Sequence, residues 1–214
     1  MNTKHIPLLA AALFASAALS HEARAVTVIA DGTILRNPDT SSITVDYLAF
    51  TTSAAGTVTI DLLSWEWNEA TERRVDVNGD GEYAFLDTYI HLFQGSLATG
   101  NHIASNEDSG SGTADGSVSA LDSFLSLNLA AGNYILAISA YNFDVDEAVS
   151  GINRGSSYPV TVDEFGILAT IDHGDYRVTL TGEFITAVPE PATAISLSAL
   201  LGGGMLIRSR PRKK

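Results

Sequence analysis

Over residues 26–187 apolar and polar side chains alternate singly instead of recurring every three or four positions. The clearest run is 176–184, where Tyr176, Val178, Leu180 and Phe184 fall on one face and Arg177, Thr179, Thr181 and Glu183 on the other. That period of two is the mark of a half-buried strand. Comparable runs predict strands at 43–52, 57–67, 88–93, 124–129 and 133–143, with shorter ones at 26–29, 102–105, 160–162 and 167–171. Turn formers separate them: Ala55-Gly56, Gly79-Asp80-Gly81, Gly110-Ser111-Gly112, Ala131-Gly132-Asn133 and His173-Gly174-Asp175. Short strands punctuated in this way argue for an all-β fold, a single β-sandwich of jelly-roll type. No helical period lasts beyond two turns, and no repeat of solenoid length occurs.

Both ends of the chain break the alternation. Residues 1–25 carry Lys4 near their start, continue with an uncharged apolar run and end in Ala23-Arg24-Ala25. This is the grammar of a secretory signal peptide, removed by signal peptidase so that the mature chain starts at Val26. Residues 188–214 open with Pro189-Glu190-Pro191, pass through sixteen uncharged residues (192–207), and close on Arg208, Arg210, Arg212, Lys213 and Lys214. At about 1.5 Å per residue such a helix spans about 24 Å, short of the roughly 30 Å hydrocarbon core. Its glycines, Gly202 to Gly204, weaken it further. The basic end would stay on the cytoplasmic side, so the segment suits a temporary membrane anchor. The expected organisation is a signal peptide at 1–25, a β-sandwich at 26–187 and a sorting tail at 188–214.

The charge is as unevenly placed as the hydropathy. The 214 residues carry 12 Lys and Arg against 25 Asp and Glu, a net charge of −13. Residues 26–191 hold 24 of those acids and only five cations, all arginine, for a net −19. An acidic body of this kind argues against nucleic acid as a partner. With no cysteine, a disulfide framework, thiolate catalysis and iron–sulfur sites are excluded.

The Pro-Glu-Pro motif (Pro189, Glu190, Pro191), the apolar span and the arginines at 208, 210 and 212 together resemble the PEP-CTERM sorting signal of Gram-negative bacteria. The resemblance implies an exosortase as partner, processing near 189–191, and a product released or attached to extracellular polymer. A second resemblance rests on 88–95 (TYIHLFQG), the turn Asn106-Glu107-Asp108, the glycine-rich loop 109–117 and the Leu-Ala-Ala-Gly-Asn-Tyr-Ile-Leu hairpin that ends at Leu136. These segments are similar to PEP-CTERM proteins related to bacterial pre-peptidase C-terminal domains, over 85–143. That likeness implies a small, calcium-tolerant, non-catalytic jelly roll. Glu107 departs from it, standing where the family pattern has aspartate.

One stretch carries cation chemistry of its own. In 76–87, Asp76, Asn78 and Asp80 take positions one, three and five of a twelve-residue calcium loop. Gly81 takes the sixth, Glu82 offers its carbonyl at the seventh, and Asp87 closes the loop at the twelfth. Ca²⁺ prefers six to eight oxygens, which alternate oxygen-bearing residues around a glycine turn supply. Aspartate at the twelfth position resembles dockerin-type loops. The competing reading is a plain turn, since Asn78-Gly79 and Asp80-Gly81 are also hairpin pairs and no helices flank the loop. Asp144, Asp146 and Glu147, and Asn106, Glu107 and Asp108, are weaker acidic loops that either complete a second cation site or are simply solvated.

Catalytic patterns are missing from the sequence: there is no G-x-S-x-G elbow and no H-E-x-x-H. His91, His102 and His173 are widely spaced. Trp65 and Trp67 share a strand face opposite Val58, Ile60 and Leu62, which claim the core. The tryptophans are therefore either an exposed platform for pyranose rings or additional packing. Two functions result. One is an exported, structural or matrix-associated sandwich stabilised by calcium. The other is a carbohydrate-binding module for exopolysaccharide; an exported hydrolase is a distant third.

Overall fold

The computed structural model describes residues 25–68, 70–76, 78–109, 118–155, 158–162 and 168–187. The expected signal peptide through Arg24, the expected sorting motif at Pro189–Pro191, the expected span 192–207, the arginines at 208, 210 and 212 and the expected Gly110-Ser111-Gly112 turn lie outside the described residues. In chain order the strands are β1 (Val26–Asn37), β2 (Ser42–Thr44), β3 (Asp46–Thr52), β4 (Gly56–Leu63), β5 (Trp67–Asn68), β6 (Arg73–Arg74), β7 (Thr88–Gln94), β8 (His102–Asn106), β9 (Phe124–Leu129) and β10 (Gly132–Ala140). A short helix α1 (Val145–Ser150) follows, then β11 (Ile152–Asn153), β12 (Val160–Val162), β13 (Leu168–Thr170), β14 (His173–Gly182) and β15 (Ile185–Ala187). Among the described residues no helix is long and apolar enough to cross a membrane.

Two antiparallel sheets form the body, with strand orders β11-β2-β1-β14-β4-β9 and β15-β3-β10-β7-β8. Their facing sides share one core: Val58, Ile60, Leu62, Val178 and Leu180 from the first sheet meet Phe50, Ile90, Leu92, Leu136 and Ile138 from the second. The chain is thus a β-sandwich. Each of these side chains is buried to 2 % exposure or less, and burial of an aliphatic side chain is worth about 1.5–3 kcal/mol. Alternation places them there. In β14, Tyr176, Val178 and Leu180 are buried while Arg177, Thr179 and Thr181 between them are not.

Four elements depart from the periodicity. The strand expected at 43–52 splits into β2 and β3, which lie in different sheets. Phe184 does not continue the inward face of β14, because Gly182 ends that strand and the chain turns through Glu183-Phe184 into β15 of the opposite sheet. β1 runs through Gly32 to Asn37 instead of stopping at Ile29. Gly32 is not a breaker here: a Cβ at that position would lie 2.3 Å from the Tyr176 ring, so only glycine lets the two strands pair in register. β4 ends at Leu63 rather than at Trp67, because the Asp122 carboxylate captures the next two amides, Ser64 N–H and Trp65 N–H, each at 2.8 Å.

The register puts every long connection at one end. Leu35 lies opposite His173, Arg177 opposite Leu63 and Asp61 opposite Phe124 in the first sheet. Asp46 pairs with Ile138, Ala140 with Thr88 and Ile90 with Asn106 in the second. The connections 38–45, 64–87, 107–123 and 141–172 therefore leave from the same end. Those four segments contain 18 of the 23 acids of residues 26–187, whereas the opposite connections 53–55, 95–101, 130–131 and 183–184 contain only Glu183.

Candidate functional site

The acid-rich end begins with the loop after β6. The Asp76 carboxylate accepts from Gly79 N–H with one oxygen and from Gly81 N–H, at 2.8 Å, with the other. Asn78 donates from Nδ2 to Asp80 at 2.8 Å, and Asp80 in turn accepts from Glu82 N–H at 2.8 Å. Gly79 and Gly81 have φ of 84° and 90°, the left-handed region that glycine enters without penalty. The Glu82 amide, then the Asn78 side chain, hold the Asp80 carboxyl below its ordinary range.

Asp87 takes no part in these bonds. Its charged neighbours are Asp108, Glu107 and Asp122, and burial first, then those three charges, push its carboxyl up to about 7. The residue brought to the loop is Asp175, from β14. It is buried and accepts from Thr33 Oγ1 at 2.7 Å, and burial first, then the neighbouring Asp80 charge, raise its carboxyl above the usual range. His173 stands beside it, bonded through Nδ1 to Asp172 at 2.8 Å and through Nε2 to Glu82 at 3.0 Å. The Asp172 bond, more than any other, raises the imidazole above its usual value.

The region around Asp87 is built differently. Asp122 is fully buried and takes Ser64 N–H, Ser64 Oγ–H and Trp65 N–H on one oxygen and Ser119 N–H on the other. Burial pushes its carboxyl up to about 6, against the downward pull of those donors. Asp87 lacks such support: its buried Oδ1 has no hydrogen-bond partner. Around it stand the turn residues Glu107 and Asp108. Asn106 is occupied otherwise, accepting from Phe124 N–H at 2.8 Å. Among the described residues no three His, Asp or Glu side chains converge as ligands of one metal ion.

The weaker acidic loop at 144–147 has a structural task. Asp144 and Glu147 form a capping box at the start of α1: Asp144 accepts from Glu147 N–H at 2.8 Å and Glu147 accepts from Asp144 N–H at 3.1 Å. The Asp-x-x-Glu spacing is legible in the sequence. Trp65 and Trp67 are both half-buried. Trp65 bridges to Phe85, with ring centroids 5.4 Å apart, and Trp67 pairs with Arg74 in a two-stranded ribbon. On the inward face of the same stretch, Ser64 and Glu66 are buried, and Glu66 accepts from Ala84 N–H.

His91 and His102, eleven residues apart, meet at 3.1 Å between His91 Nδ1 and His102 Nε2. The Phe143 carbonyl accepts from His91 Nε2–H at 2.9 Å, which leaves His91 Nδ1 bare to accept from His102. Burial holds His91 below its ordinary value, the neutral form this arrangement needs. Sequence spacing gave no sign of the pair.

No family model and no curated protein sequence matches this chain. Among solved structures it is similar to the pre-peptidase C-terminal domain of collagenase from Bacillus anthracis, at 14% identity, covering 72% of this chain and 89% of that one, with a TM-score of 0.37. A likeness of that size carries no inference about this chain.

Proposed function

We propose that this protein is an exported, non-enzymatic β-sandwich with a structural or matrix-associated role outside the cell, its acidic end neutralised by calcium. The observation that carries the reading is the placing of charge. Three connections at one end, 38–45, 64–87 and 107–123, hold 12 acids against two arginines, and within them the Asp87 carboxylate has a buried oxygen with no partner. Like charges so placed repel one another, and a divalent cation is the direct remedy. Two groups suit it. Asp76, Asn78, Asp80 and the Glu82 carbonyl form one with Asp175 in place of Asp87; Asp87, Glu107 and Asp108 form the other. Calcium would draw either set inward, at the weak affinities of extracellular modules, about 10⁻⁴–10⁻³ M.

The jelly-roll reading is supported by strand order. Counting the eight long strands along the chain, first, eighth, third and sixth (β1-β14-β4-β9) face second, seventh, fourth and fifth (β3-β10-β7-β8). That is the order produced by two interlocking Greek keys. In the same reading, signal peptidase cuts before Val26, residues 192–207 hold the chain briefly in the inner membrane, and an exosortase processes it near 189–191, with exopolysaccharide as a partner outside. Thermal melting tests the calcium brace. Millimolar Ca²⁺ should raise the melting temperature by several degrees over chelator, and identical melts in the two conditions would remove calcium from the account.

A further inference from the structure

A second surface at the long-loop end has a different chemistry. The outer face of the second sheet is covered near its middle by Phe143 and α1, which pack on Phe93 and Ala137. Towards β8 this cover stops and leaves a cleft of about 540 Å³, within the size range of small-molecule sites. The floor is the buried His91, ring-stacked on Tyr89 at 4.8 Å and edge-on to Phe143.

Register explains which side chains enter it. Ser139 lies opposite Tyr89 and His91 opposite Ser105. Tyr141, two residues on from Ser139, is therefore a diagonal neighbour of Tyr89 on the same face, and Glu107 continues the row from β8. Asn142 and Arg154 line the other wall. Asn142 in this wall holds φ at 62°, the left-handed region that asparagine, unlike most residues with a side chain, visits readily. Gly155 packs so closely that a Cβ there would lie 2.3 Å from the Asn142 carbonyl. Among the described residues the Tyr89 and Tyr141 hydroxyls, the Asn142 amide and the Arg154 guanidinium have no hydrogen-bond partner.

We infer that this cleft binds a neutral sugar segment of a polysaccharide, with Tyr89 and Tyr141 offering ring faces and Asn142 and Arg154 bonding to hydroxyls. Tyrosine combines an apolar face with a polar tip, which matches a pyranose better than it matches a purely apolar ligand. The unmatched donors and acceptors suit a molecule dense in hydroxyls. Charge selects a neutral ligand: Glu107, Asp144 and Glu147 line the cleft against a single arginine, so a uronate-bearing polymer is repelled. The inference does not depend on calcium and differs from a platform built on Trp65 and Trp67.

Titration calorimetry of the full protein with cellohexaose and with chitohexaose tests it. At least one should bind, Tyr141→Ala and Arg154→Ala should each weaken that binding tenfold or more, and Trp67→Ala should leave it unchanged. Tyr141 and Arg154 are exposed, and an unchanged melting temperature checks that the variants remain folded. Absence of heat with both sugars overturns the inference, as does undiminished affinity in Tyr141→Ala. Loss of binding in Trp67→Ala alone would overturn it in favour of the tryptophan platform.

Discussion

Replacing Asp87 by asparagine removes one negative charge while keeping the shape of the side chain. In the folded protein burial and the charges of Asp108, Glu107 and Asp122 push this carboxyl from 3.8 up to about 7. Between those two values the folded state holds a proton that the unfolded chain has already lost. Stability from this group is therefore full below about pH 4, declines as the pH rises through the window, and is flat above about pH 7. A shift from 3.8 to about 7 is worth roughly 4 kcal/mol unscreened, at about 1.36 kcal/mol per unit. Asp87 is half-buried, and solvent screening leaves on the order of 2 kcal/mol of that. Urea denaturation in chelator, repeated from about pH 4 to about pH 8, reads the effect directly. The two proteins should agree at the acid end, and Asp87→Asn should be the more stable by about 2 kcal/mol at the alkaline end. A difference that does not change with pH, or a variant less stable at about pH 8, refutes the placing of Asp87 in a repulsive carboxylate group.

Other substitutions probe the frame around that group. Asp122→Ala leaves the buried Ser64 and Ser119 amides without their acceptor, at about 1–3 kcal/mol each; a loss of roughly 3 kcal/mol in urea midpoint analysis is expected, and a loss under about 1 kcal/mol would show the pin to be dispensable. Gly32→Ala places a methyl against the Tyr176 ring and should cost about 1–3 kcal/mol, seen as a melting temperature several degrees lower; the double change with Tyr176→Ala should recover part of it. His173→Gln removes the imidazole that Asp172 and Glu82 hold above its usual value; wild-type stability should decline as the pH rises through that raised value, and the variant should lack this step.

Much of the fold is written in the alternation. Val58, Ile60 and Leu62, and likewise Tyr176, Val178 and Leu180, announce a face, and the sandwich follows from burying such faces against one another. The same parity put Trp65 and Trp67 on the side away from the core, where they lie half-buried. What escaped depends on contacts between distant residues. The extension of the strand expected at 26–29 through Gly32 rests on the Tyr176 ring, 144 positions later, lying over that glycine. The end of β4 is set by Asp122, from a connection nearly sixty residues on. The calcium-loop reading takes contiguous residues to close the loop; within the turn, the Asp76 carboxylate accepts from the Gly79 and Gly81 amides. Asp87, just before β7, has Asp108, Glu107 and Asp122 as its charged neighbours, and Asp175 of β14 has Asp80 as one of its own. No local spacing encodes those neighbours, nor the meeting of His91 with His102 across β7 and β8.

The central claim is that the acidic sandwich works outside the cell after losing both terminal segments. Mass spectrometry of the intact protein from the culture medium, cell envelope and cytosol tests this most directly. The account predicts a species in the medium or envelope that starts at Val26 and ends near 189–191. An intact chain from Met1 to Lys214, confined to the cytosol, would contradict it.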